Sequence, residues 1–145
     1  MRSAATWLLL LLALGCAEEA PDATPEGALA AFLEAMEESR YDDTRRAEAY
    51  ALLDEATRTE LEARVGRSEA LGRAGLEPWE MLAMGRFRLA FEPHSMRARV
   101  DGGEGVVIVR GRGGERAEVP VVQEPGGWRV RLLGPSEPGS EPAEP

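Results

Sequence analysis

Eight arginines are the residues best placed to do chemistry in this chain: Arg86, Arg88, Arg97, Arg99, Arg110, Arg116, Arg129 and Arg131. They recur between residues 86 and 131 out of phase with the apolar residues, which collects them on one face of a sheet. A guanidinium grips phosphate or carboxylate through a planar two-pronged fork. Eight of them on one face imply a local positive field on an otherwise acidic protein. That face would suit an anionic partner: lipid phosphate, cell-wall carboxylate or an acidic protein. The plainer alternative is a solvated outer face, its arginine stems covering the strands and its charge partly offset by the acidic helices or tail.

The other reactive side chains do not converge. His94 is the only histidine and follows Pro93 in a turn. Ser95 lies beside it, but a nucleophile needs an oriented base and a third, orienting group. Asp42-Asp43 precede a helix and read as its cap and dipole partners. Residues 111–114, Gly-Arg-Gly-Gly, resemble a phosphate cradle but lack the following helix and the spacing of a P-loop, so they read as hairpin. One cysteine and one histidine exclude a structural zinc site in practice. No cofactor is implied.

The elements that position these residues follow from periodicity. Thr24-Pro25-Glu26 opens a first helix: Thr24 caps, Pro25 suits the first position, and Glu26 suits the positive dipole end. Leu29, Phe32, Leu33 and Met36 form its inner stripe, and it fades near Ser39. Asp42-Asp43-Thr44 restarts a helix with Ala47, Tyr50, Ala51 and Leu53 inward. Thr57 is expected to cap a third, with Leu61, Val65 and Leu71 inward. Trp79, Leu82 and Ala83 form a last short turn.

From Arg86 the period changes to two, and five antiparallel strands are expected in a meander. A turn at Pro93-His94 would pair Phe91 with Met96. The Gly102-Gly103 turn pairs Ala98 with Val107, and the turn at Pro125-Gly126 pairs Val121 with Val130. For the remaining hairpin, a three-residue loop over 112–114 sets Val109 against Ala117 and keeps the apolar face continuous, with one glycine at positive φ. Pro120 cannot donate to a ladder and predicts a bulge or a local gap. In this register only Gln123 is polar among the inward strand positions, and it lies near a rim. No inward acid or base is available for proton transfer. Tyr50 could point inward from its helix, but a core residue with a satisfied hydroxyl is the simpler reading.

The start of the chain supplies an address. Arg2 precedes an apolar run to Leu14, then Gly15 and Cys16, the single cysteine. The run is too short for a membrane span, which needs about 20 helical residues. Ala13-Leu14-Gly15-Cys16 resembles the lipobox of a bacterial lipoprotein, departing from it in having Ala13 where leucine is preferred. The resemblance implies removal of residues 1–15, acylation of Cys16 and a cell-envelope location, in the outer membrane or on the outer face of the inner one. Ordinary cleavage after Ala17 is the alternative. Residues 16–23 would be a flexible spacer and residues 134–145, GPSEPGSEPAEP, a disordered tail.

After removal of residues 1–15 the charge is −10, every basic residue being arginine. Residues 18–80 carry 17 acids against 7 arginines, and residues 86–133 carry 6 against 9. The helical half is therefore acidic and the strand half basic. Nucleic acid is disfavoured as a partner by the total charge and by the compartment. Ile108 and Val122 on the outer face offer an apolar seed for a homodimer.

Thr24-Pro25-Glu26-Gly27-Ala28 with Phe32-Leu33, then Ala49-Tyr50-Ala51-Leu52-Leu53, then Gly126-Gly127-Trp128-Arg129-Val130 are similar to the nuclear-transport-factor-2-like superfamily, also called cystatin-like. The resemblance spans residues 24–133. It implies an α+β cone, with N-terminal helices packed on a curved antiparallel β-meander. Some members of that superfamily are enzymes and others bind ligands or partners, so fold does not give function. The expectation is a membrane-anchored, non-catalytic binding or interaction domain. The alternatives are a small apolar ligand between the first helix and Trp128, and an enzyme resembling polyketide cyclases or isomerases.

The address is testable directly. Cys16→Ser should shift the protein from the membrane to the soluble fraction of its own cells. Unchanged membrane partition would remove the lipid anchor.

Overall fold

The computed structural model describes residues 19–82 and 87–133. Cys16, Arg86, Ala83 and the tail 134–145 lie outside the described residues. The order is helical, then β: α1 (Pro25–Glu38), α2 (Asp43–Ala51), α3 (Glu55–Ala70), then β1 (Ser95–Asp101), β2 (Glu104–Arg110), β3 (Arg116–Glu124) and β4 (Gly127–Val130). The fold is α+β, with a four-stranded antiparallel sheet in the order β1-β2-β3-β4.

The helix starts obey local capping chemistry. Thr24 Oγ1 accepts from the Gly27 N–H at 3.1 Å, with Pro25 at the first position. Asp42 caps α2 by accepting from the Thr44 N–H at 2.8 Å, and that bond holds its carboxyl below the usual range. The third cap differs from expectation. Asp54, not Thr57, caps α3, accepting from the Thr57 N–H at 3.0 Å. Thr57 is fully buried and serves the strand half instead. Its Oγ1 accepts from the N–H groups of Leu132 and Leu133, at 3.1 and 3.3 Å.

α1 lies across the inner face of the sheet and buries Ala28, Leu29, Phe32, Ala35 and Met36. The sheet answers with Val107, Val109, Val121, Trp128 and Val130. In α2 the inward residue is Ala49, and Ala51, expected inward, is exposed. Leu71, expected on the inner stripe of α3, is 85% exposed because the helix ends at Ala70. A short 3₁₀ turn at Pro78–Met81 seats buried Leu82.

Three of the expected registers are present: Ala98 opposite Val107, Val109 opposite Ala117, and Val121 opposite Val130. Gly114 in the third hairpin takes φ +92°. Pro120 produces no bulge; it sits in register opposite Val106. Its carbonyl accepts from the Arg131 N–H at 2.9 Å. Its missing donor therefore faces the β4 side, where the ladder ends at Val121–Val130.

The expected first strand, 86–91, is absent: residues 87–91 follow an irregular path. Phe87, Leu89 and Phe91 still pack against the core, so their alternation reports burial and not pairing. A strand here would have to pair with the outer edge of β1. At that edge Glu26 Oε1 accepts from the Ala98 N–H at 2.7 Å, so a helix side chain takes the bond instead. β1 is thus the sheet's edge.

The folded part begins before Thr24. Pro21–Ala23, expected within a flexible spacer, forms a 3₁₀ turn against α1 and β4. Two glycines permit the approach. A Cβ on Gly27 would meet the Pro21 carbonyl oxygen at 2.1 Å, and one on Gly127, which has φ +134°, would meet Asp22 at 2.7 Å. Arg129 Nη1 then holds Asp22 Oδ2 at 2.6 Å.

The buried Thr57 hydroxyl gives a quantitative expectation. Thr57→Val preserves shape but strands two backbone donors, and should cost about 2 kcal/mol. Thr57→Ser should retain most of that. Urea denaturation of both variants would check it; a larger loss in Thr57→Ser than in Thr57→Val would show that the methyl, not the hydroxyl, matters.

Candidate functional site

The outer face of the sheet carries the candidate site. Pairing places its side chains in rows across the strands. Ser95, Arg110 and Arg116 form one row; Arg97, Ile108 and Glu118 the next; Arg99, Val106 and Pro120 the third. Asp101, Glu104, Val122 and Arg129 complete the face. Alternation accounts for the arrangement, since the residues between these positions point to the opposite face, where α1 packs.

The structure divides the seven of these arginines that lie among the described residues. Arg129 is tied to Asp22. Arg131 holds Asp54 Oδ2 through Nε at 2.7 Å and Glu104 through Nη1 at 3.1 Å. These bonds raise the Arg131 pKa above its ordinary value, Asp54 contributing most. Arg116 pairs with Glu118 along its own strand, and Arg88 pairs with Glu37 of α1. Arg97, Arg99 and Arg110 are exposed and, among the described residues, meet no carboxylate. The useful cationic set is therefore these three, clustered on β1 and β2.

Between them the face is apolar. Ile108 is only 6% exposed although it points outward, lying between Arg97 and Glu118 in its row; long charged side chains cover apolar neighbours in this way. Val106 is half-buried and Pro120 exposed. A groove of about 540 Å³ runs here, floored by Val106, Ile108 and Pro120 and walled by Arg99 and Arg131 together with Asp101, Glu104 and Glu118. Its cover over Ile108 leaves Val122 as the more accessible of the two apolar positions expected to seed a dimer.

The remaining candidates resolve individually. In the 111–114 loop, Glu115 Oε2 accepts from the Gly113 N–H at 2.9 Å, so the cradle is filled by the chain's own carboxylate. Tyr50 donates to Glu62 at 3.1 Å. Burial and that bond push its phenol up to about 12, so it stays protonated at neutral pH. His94 is exposed, its backbone N–H donating to the Arg110 carbonyl at 2.8 Å. Asp43 pairs with Arg46 at 3.2 Å. Gln123 is exposed at the end of β3. Among the described residues no three His, Cys, Asp or Glu side chains converge as a metal site would require.

Trp128 is 7% exposed and packs within the core, at the place that the alternative reading gave to a small apolar ligand. A smaller cleft of about 290 Å³ opens elsewhere, between Leu29, Phe32 and Leu33 of α1, Phe87 and Leu89, and Val119.

Sequence reading missed the Asp54–Thr57–Arg131 cluster. The available signal was Asp54 itself, a good cap three residues before Thr57; nothing local announces its bond to Arg131, 77 residues away. Comparisons with family models, curated proteins and solved structures give no match to this chain.

Proposed function

We propose that this is a lipid-anchored envelope protein, held at Cys16, whose domain is a non-catalytic interaction module of nuclear-transport-factor-2-like type. The module uses its outer sheet face to engage an acidic protein segment. The carrying observation is the trio Arg97, Arg99 and Arg110, exposed on β1 and β2, of which Arg99 reaches the wall of the groove floored by Val106, Ile108 and Pro120. Surface arginines with carboxylate partners at hand gain little from a further anion, whereas this trio has none among the described residues. An extended segment bearing Glu or Asp among apolar residues matches both parts of the surface. The packing of α1 on the inner face of the sheet supports the fold reading.

Polyglutamate is a suitable probe. Its binding should weaken steeply between about 50 and 300 mM salt, as exposed charges are screened. R97E/R99E/R110E should lose at least about tenfold in affinity while its Tm stays nearly unchanged, because none of the three is ion-paired within the described fold and a glutamate stem at 97 still lies over Ile108. Equal affinity for the two chains would end this reading. Arg129 and Arg131 are unsuitable for that test, since both tie the fold together.

The cleft beside α1 favours a second reading, a small apolar ligand between Leu33 and Val119. Native mass spectrometry of the protein from its own envelope should then show mass beyond the acylated chain. The acylated chain alone would remove this second reading.

A further inference from the structure

We propose that a second cleft, between α1 and residues 87–93, binds an organic ammonium ion that carries an apolar body. No residue of the outer arginine face lines it. It shares Leu33, Phe87, Arg88 and Leu89 with the smaller cleft beside Val119, but opens toward Met36 and Phe91.

The size and the floor suit a small molecule. The cleft holds about 570 Å³, within the range of about 300–1,000 Å³ usual for ligand sites. Leu33 and buried Met36 come from α1; Phe87, Leu89 and Phe91 come from the irregular segment. The last three pack against the core yet stay half-buried, so apolar surface is left in water. An apolar body laid over it would remove that surface from water.

The charge selects the head group. Glu34, Glu37 and Glu92 line the cleft together with one arginine, Arg88. Arg88 is already paired with Glu37, which Arg40 also meets at 3.5 Å. Glu34 and Glu92 are exposed and, among the described residues, have no ion partner. Two carboxylates left over beside an apolar floor repel an anionic ligand and attract a cationic one. Phe87 and Phe91 add aromatic rings, whose faces also attract an ammonium ion. An inorganic cation would leave the floor uncovered, and among the described residues no three ligating side chains converge to hold one.

A second copy is the weaker occupant. A twofold axis over this cleft would set Glu34 and Glu92 of both copies against each other, like charge on like.

The full chain is titrated with three eight-carbon probes of similar shape: octylammonium, octanol and octanoate. Octylammonium should bind at least about tenfold more tightly than octanoate, with octanol between them. Butylammonium has the same charge and half the tail. It should bind at least about tenfold more weakly than octylammonium, which separates the cleft from general attraction to an acidic protein. Amide NMR shifts should fall on residues 33–37 and 87–93. E34Q/E92Q changes two exposed positions; it should lose about fivefold in octylammonium affinity and keep its octanol affinity. Equal affinity for the three eight-carbon probes overturns the proposal, as does an unchanged ammonium preference in E34Q/E92Q, equal binding of the two amines, or no binding of octylammonium. Shifts on Ala117 and Val119 in place of Phe91 and Glu92 also overturn it, by seating the ligand in the smaller cleft. Polyglutamate binding concerns the other face of the sheet, so that reading and this one fail separately.

Discussion

A carboxylate removed from water must be satisfied by the fold, and Asp54 is that group here. It is 1% exposed. One oxygen caps α3 and the other receives Arg131. The backbone around it also joins the two halves. The Leu52 carbonyl accepts from Val130 at 2.8 Å and the Asp54 N–H donates to Val130 at 3.0 Å, so residues 52–54 run as a short parallel addition to β4. Glu124 at the end of β3 accepts from the Glu55 N–H at 2.7 Å. The N-terminus of α3 is therefore held by two strands at once. Removing one partner of such a buried pair costs about 3 kcal/mol, mainly by leaving the other charge unpaired. This junction joins the helical half to the strand half, beside the core that α1 shares with the sheet.

The opposite edge is handled differently. β1 ends the sheet, and a bare edge invites pairing with another chain. A glutamate from the first turn of α1 reaches the middle of that edge and takes the Ala98 N–H. The same residue sits at the positive end of the helix dipole, where its charge is favoured. One side chain thus fixes α1 against the sheet and blunts the edge. The irregular course of residues 87–91 follows, because their apolar side chains reach the core without using the ladder.

The arginines divide along the same line. Those near the junction or the helices, Arg129, Arg131 and Arg88, bind acids from distant parts of the chain. Those toward the free edge, Arg97, Arg99 and Arg110, have no acid within the described fold to bind. Charge that looks uniform along the strands is therefore divided into paired and unpaired arginines by what each element packs against. The acidic balance of the helical half has its counterpart in these contacts: Glu37, Asp54 and Asp22 all meet arginines of the strand half.

Much of this was legible in the sequence because it is local. Thr24-Pro25-Glu26 caps a helix through atoms three residues apart, and Gly102-Gly103 with an alternating pattern sets a register through the pleat alone. The choice of a three-residue loop at 112–114 followed from keeping one face apolar, and the glycine at positive φ came with it. The class, α+β with helices first, follows from the two-residue period that runs through the second half of the chain. What the sequence could not decide were contacts between residues far apart whose types are individually ordinary. An alternating segment, 87–91, is equally a strand or a packed coil until its ladder partner is known. A Pro-Asp-Ala run reads as spacer until two glycines elsewhere make room for it. An arginine on a strand is paired or left exposed according to which carboxylate the chain folds beside it. Backbone propensity and alternation act over a few residues, whereas burial and ion pairing depend on which surfaces meet, and only the tertiary structure brings those surfaces together.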